Sequence, residues 1–178
     1  MIRKWFVLAA AAALIGASAC GGSDGDGDGG GGGSTGGDGK LVVCELFTVA
    51  EIEAVLGNAV VEPTPAQHVC NWMGADALQD RDVTMVVHPH GASDFDATVD
   101  AVEGMDNTTV APISGVGDQA VLSTFQLEIA GFVSSTAQVI ATEGDALVHV
   151  TVGQPSLPTQ ELEQATRELT LQLLQKIK

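Results

Sequence analysis

The stretch HPHGASDFD, residues 88–96, is the densest run of metal-ligand side chains in the chain. His88 and His90 alternate, so on a strand they share a face, and Asp94 and Asp96 follow closely. A zinc or copper site needs three or four N, O or S donors converging at about 2 Å. Pro89 breaks a strand between the two histidines, and a helix opening near Ser93 makes Asp94 and Asp96 first-turn acids favoured by the helix dipole. The reading is therefore no metal and no cofactor. His149 reads as a half-buried residue in mid-strand, and His68 as solvent-facing beside Cys70.

Other chemistries fare no better. GVGDQA, Gly115 to Ala120, matches the loose G-x-G-x-x-A pattern, but the dinucleotide fingerprint requires a helix to begin at the glycines and present its amides to a pyrophosphate. Here the β-like VLSTF follows, so the segment reads as a tight turn whose glycines supply positive φ. No G-x-S-x-G nucleophile elbow is present. Acidic pairs are frequent only because the chain is acidic. There is no Tyr, and beyond Cys20 Trp72 is the lone Trp, which weakens a sugar-stacking role. Trp72 sits two residues from Cys70 on one strand face, and packing against a disulfide is its expected role. We expect no catalytic residues and no enzyme.

The elements that would carry these side chains follow from local pattern. Thr48 and Glu51 make a capping box, Phe47 can staple onto Ile52, and Gly57 stops the helix. Val60–Glu62, His68–Met73 and Val83–His88 read as strands. Ser93–Glu103 is a second helix, capped by Ser93, with Phe95, Val99 and Val102 on one face and Gly104 as stop. Strand-like stretches follow at Ala120–Thr124, Leu127–Val133, Thr136–Thr142 and Ala146–Val152, the last two joined by the hairpin signal Glu143-Gly144-Asp145. Leu162, Ala165, Leu169 and Leu173 form the inner stripe of a C-terminal helix whose start lies near Pro158. The expected fold is α+β: an antiparallel sheet with a short N-terminal helix, one mid-chain helix and a C-terminal helix packed on it.

The N-terminal region speaks to location. Arg3 and Lys4 precede an apolar run, Trp5 to Ile15, too short to span a bilayer and suited to a secretory signal. Small residues lead to Cys20. The run Ala17-Ser18-Ala19-Cys20 resembles a bacterial lipobox, with Ala17 where Leu is usual. That resemblance implies a diacylglycerol on the Cys20 thiol, cleavage before Cys20, and acylation of the new amine. Residues 21–39 are Gly, Asp, Ser and Thr, with nothing apolar to offset the entropy of ordering. They read as a tether with a mean reach of roughly 24 Å. The expected organisation is a signal peptide over 1–19, an anchored tether over 20–40 and one folded extracytoplasmic domain over 41–178.

Formal net charge is −16 from 7 basic and 23 acidic residues. Such a chain is repelled by phosphate, which argues against nucleic acid, and it has no basic patch for anionic lipid. Membrane attachment would rest on the acyl anchor at Cys20. With Cys20 lipidated, Cys44 and Cys70 remain, and outside the cytosol they favour a disulfide. The alternative, two free thiols or half a metal site, lacks a C-x-x-C and a second ligand pair.

CELFTVAEIEAVLG, CNW and GVGDQA, then a strand hairpin and a terminal helix, together resemble actinobacterial lipoproteins that contain the domain of unknown function 3558. The resemblance runs from Cys44 to the end, with Phe47 where a second Leu is common. It implies a lipid-anchored, extracytoplasmic protein of the cell membrane and brings no catalytic residues with it. The functional expectation is a non-catalytic domain that binds an envelope protein or a small ligand. A small extracytoplasmic metal-binding protein or hydrolase is the alternative, and a purely structural envelope protein is a third reading.

Overall fold

In the computed structural model, residues 41–64, 66–77, 79–129, 132–155 and 159–178 are described. The expected signal peptide, Cys20, the tether and Pro158 lie outside the described residues. Six strands form one antiparallel sheet: β1 (Val69–Trp72), β2 (Asp82–His88), β3 (Thr108–Pro112), β4 (Gln119–Ile129), β5 (Phe132–Glu143) and β6 (Ala146–Pro155). Their order across the sheet is β1-β2-β6-β5-β4-β3. Three helices accompany it, α1 (Val49–Leu56), α2 (Phe95–Glu103) and α3 (Thr159–Lys176), giving the expected α+β class.

Alternation assigns each strand residue to a face. Cys70, Trp72, Val83, Met85, Val87, Ala137, Val139, Val148, Val150 and Val152 point to one side, where Leu162, Leu169 and Leu173 of α3 and Ile52 and Leu56 of α1 complete the main core. α3 lies along β5 and β6, the middle of the sheet. Its two buried threonines are satisfied locally: Thr166 Oγ1 donates to the Leu162 carbonyl at 2.6 Å and Thr170 Oγ1 to that of Thr166 at 2.7 Å. The opposite face is covered only in part. Phe95 and Val102 of α2 bury Val121, Ile140 and Leu147 in a second, smaller core.

α1 is capped as expected. Thr48 Oγ1 accepts from the Glu51 amide at 3.2 Å, the Glu51 carboxylate accepts from the Thr48 amide at 2.7 Å, and Gly57 closes the helix at φ +75°. The glycines of GVGDQA sit in a turn between β3 and β4, with Gly115 at φ +78° and Gly117 at φ +59°. A methyl group at Gly117 would strike the Thr142 carbonyl, so two separate constraints demand glycine there.

Several boundaries differ from the sequence reading. Val60–Glu62 is not a strand; Val60 makes a single bridge to Gly74. Leu127–Val133 is not a separate element, because β4 continues unbroken from Gln119 to Ile129 and β5 starts at Phe132. β3 has no counterpart among the strands expected from the sequence. α2 has Asp94, not Ser93, at its cap position, where no side-chain capping bond forms; Ser93 belongs to a 3₁₀ turn, Ala92–Asp94, that leads into the helix.

Candidate functional site

Cys44 and Cys70 are joined by a disulfide, with 5.0 Å between their Cα atoms. Cys44 lies in a 3₁₀ turn, Val43–Leu46, and Cys70 on β1, so the bond ties the segment entering α1 to the edge of the sheet. Trp72, on the same strand face as Cys70, is fully buried and meets Phe47 edge-on at 6.1 Å. The Lys176 ammonium rests 4.8 Å from the Phe47 ring centre and bonds Glu51 at 2.9 Å, joining α3 to the start of α1. The Thr48 amide, and after it Lys176, hold the Glu51 carboxyl down at about 2.

The four residues of the HPHGASDFD cluster separate in the fold. His88 ends β2 on the partly covered face. Pro89 and His90 form the turn that follows. His90 lines a cleft of ≈ 790 Å³ with His68, Leu41, Ile177 and Lys178, and Lys178 is paired there to Glu143 at 3.0 Å. Asp94 and Asp96 are exposed at the start of α2. Among the described residues, no three His, Cys, Asp or Glu side chains are grouped to hold a metal ion.

The structure brings His88 to a different partner. β2 and β6 pair with His88 opposite Leu147 and Val86 opposite His149, so the two histidines are diagonal neighbours. Their rings meet edge-to-face with centres 5.8 Å apart. His149 Nε2 is buried and has no hydrogen-bond partner. Burial, and after it the neighbouring His88, push the His149 pKa down to about 4, so the ring is neutral at pH 7. The sequence gives no spacing signal for this pair, because 60 residues separate its members and only strand order unites them.

A second feature lies at the β1 edge. Val61, Val69 and Met73 are 50%, 42% and 56% exposed, and they share one cleft of ≈ 410 Å³ with Pro63, Thr64 and Asn71. Three of the six large apolar side chains most exposed among the described residues thus meet at a single place. The cleft stands beside the disulfide, whose Cys44 Sγ lies 3.7 Å from the Thr64 carbonyl oxygen. Val69 and Asn71 also belong to the face that α2 covers in part, at the end α2 does not reach, continuous with half-buried Thr84, Val86 and Thr151. At the other sheet edge, β4 outruns β3, and the step is lined mostly by polar groups, Asn107, Thr109, Gln126 and Glu128 among them, together with Phe125 and Val133.

Charge is distributed unevenly. No Lys or Arg occurs between Arg81 and Arg167. Arg81 is committed to Glu161 at 2.6 Å and Gln154 at 2.8 Å. No helix of the described residues is long and apolar enough to cross a membrane. No family model matches the chain, and no curated protein matches it.

Proposed function

We propose that the chain is a lipid-anchored protein of the extracytoplasmic face of the cell membrane, held by acyl chains on Cys20, whose folded domain binds an envelope protein or small ligand without catalysis. The observation that carries the binding role is the gathering of Val61, Val69 and Met73 in one cleft beside the uncovered part of that sheet face. Scattered single apolar residues are ordinary on a surface, but a contiguous patch rimmed by polar groups marks an interaction site. The disulfide supports the extracytoplasmic location, and the lipobox resemblance supports the anchor. The resemblance to lipoproteins with the domain of unknown function 3558 agrees with both.

The binding role is tested with the immobilised chain and an envelope fraction of its own cells. Met73→Asp and Val69→Asp should lose whatever the wild type retains, while Leu171→Asp, an exposed position on α3, keeps it. Retention that is equal in all four proteins would remove the cleft from the account.

A further inference from the structure

The segment Gly91–Glu103 is attached to the sheet by few groups. Gly91 lies close over His88 and Leu147: a methyl at Gly91 would come within 2.7 Å of the His88 Cβ and 3.1 Å of the Leu147 Cβ. The Ala92 amide donates to the Asp145 carbonyl at 3.0 Å. Phe95 and Val102, with half-buried Val99, then supply the apolar contact with Val110, Val121, Ile140 and Leu147. His149 stands at the border of this footprint. Its neighbour on β5, Ile140, is fully buried beneath α2, and its neighbour on β2, Val86, is half-exposed.

The charged surroundings of His149 are one-sided. β2 presents His88, a second base. β5 presents Ile140 and Gln138, which do not titrate. The covering segment carries Asp94, Asp96, Asp100 and Glu103, all exposed, and Asp145 is exposed in the β5–β6 turn. Among the described residues no hydrogen bond joins either imidazole to a carboxylate, and His149 Nε2 has no hydrogen-bond partner. A proton on His149 would therefore place a cation in a poorly solvated site, against the His88 ring and with no hydrogen-bond acceptor at Nε2.

We propose that His149, packed against His88, forms an acid-sensitive latch: protonation of His149 lifts the segment Gly91–Glu103 from the sheet and uncovers the apolar face made by Phe95, Val102, Val121, Ile140 and Leu147. The rest of the fold stays closed, because the main core lies on the other side of the sheet and is stapled by the disulfide. Opening hydrates His149 and returns its pKa to the ordinary value of 6.5, against about 4 when closed. Linkage between those values raises the open-to-closed ratio about twentyfold from pH 7 to pH 5.

Hydrogen exchange on the full chain at pH 7 and pH 5, corrected for the intrinsic pH dependence of exchange, reads this directly. The amides of Val99–Gly104 should lose protection about twentyfold in the wild type, while those of Val121 and Val139 in β4 and β5 keep theirs. His149→Leu should abolish the loss, and His149→Gln serves the same purpose should the leucine chain fail to fold. An equal loss in wild type and neutral variant would assign the acid response to the carboxylates of α2 and overturn the latch. Unchanged protection in the wild type, or equal loss across the whole sheet, would overturn it as well.

Discussion

Replacing Cys44 and Cys70 together by Ala removes a crosslink between residues 26 apart in sequence. On the chain-entropy description, the loop it closes restrains the unfolded chain by about 3.5 kcal/mol. Both sulfurs are also buried, Cys44 at 8% and Cys70 at 1% exposure, so truncation adds a small packing loss of about 1 kcal/mol. A typical domain is stable by about 5–15 kcal/mol. The double variant should therefore lose a large share of its stability, a factor of about 300 in the folding equilibrium from the loop alone. Urea unfolding of three samples measures this: wild type, double variant, and wild type with reductant. The last two should unfold at similar urea concentrations, well below the first. A thiol assay under non-reducing denaturation, in a Cys20→Ser background, should find no free thiol. Two thiols per molecule, or a midpoint that reductant leaves unmoved, would refute the reasoning.

Four further outcomes follow from the same structure. Wild type should sediment with membranes on fractionation, and Cys20→Ser should release it. Thr48→Ala should cost about 1 kcal/mol in denaturant unfolding, because it removes the acceptor for the Glu51 amide and half of the capping box. Gly117→Ala should cost about 2 kcal/mol or more, since it meets both positive φ and the Thr142 carbonyl; Gly57→Ala, at positive φ with open space, should cost about 1 kcal/mol. Stability should fall in acid in two windows seen in unfolding experiments across pH. His149 has a folded pKa of about 4, below its unfolded 6.5, so its neutral form favours the fold; that contribution is complete above pH 6.5 and is lost as pH drops towards 4, worth up to about 3 kcal/mol. Glu51, held at about 2 against 4.5, acts in the same direction as pH falls below 4.5, and His149→Leu should remove the upper window alone.

What could be read from sequence was local. The capping box of α1 is legible because Thr48 and Glu51 declare it at fixed spacing. The stripe Leu162, Ala165, Leu169 and Leu173 is legible because α3 buries one face. The strand β3 escaped notice because Thr108–Pro112 is a short edge strand, half-exposed to exposed, with a proline at its end. β4 and β5 were divided in the wrong places because their alternation runs long, with little turn chemistry to mark the boundary. The His88 and His90 cluster dissolved for a different reason: the turn at Pro89 and His90 sends His90 to one cleft and leaves His88 against His149. That pairing has no sequence period, since only strand order brings β2 and β6 side by side; Val69 and Met73 do alternate onto one face, but Val61 joins them only through its amide bond to the Met73 carbonyl, which no spacing announces.

A photoreactive residue at position 73, placed in the full chain in living cells, tests the binding role most directly. The account predicts a discrete crosslinked product formed from position 73 and absent from a probe at Leu171, with loss of that product when Val69→Asp is added. The same product from both positions, or one that persists with Val69→Asp, would contradict a partner seated at the β1 edge.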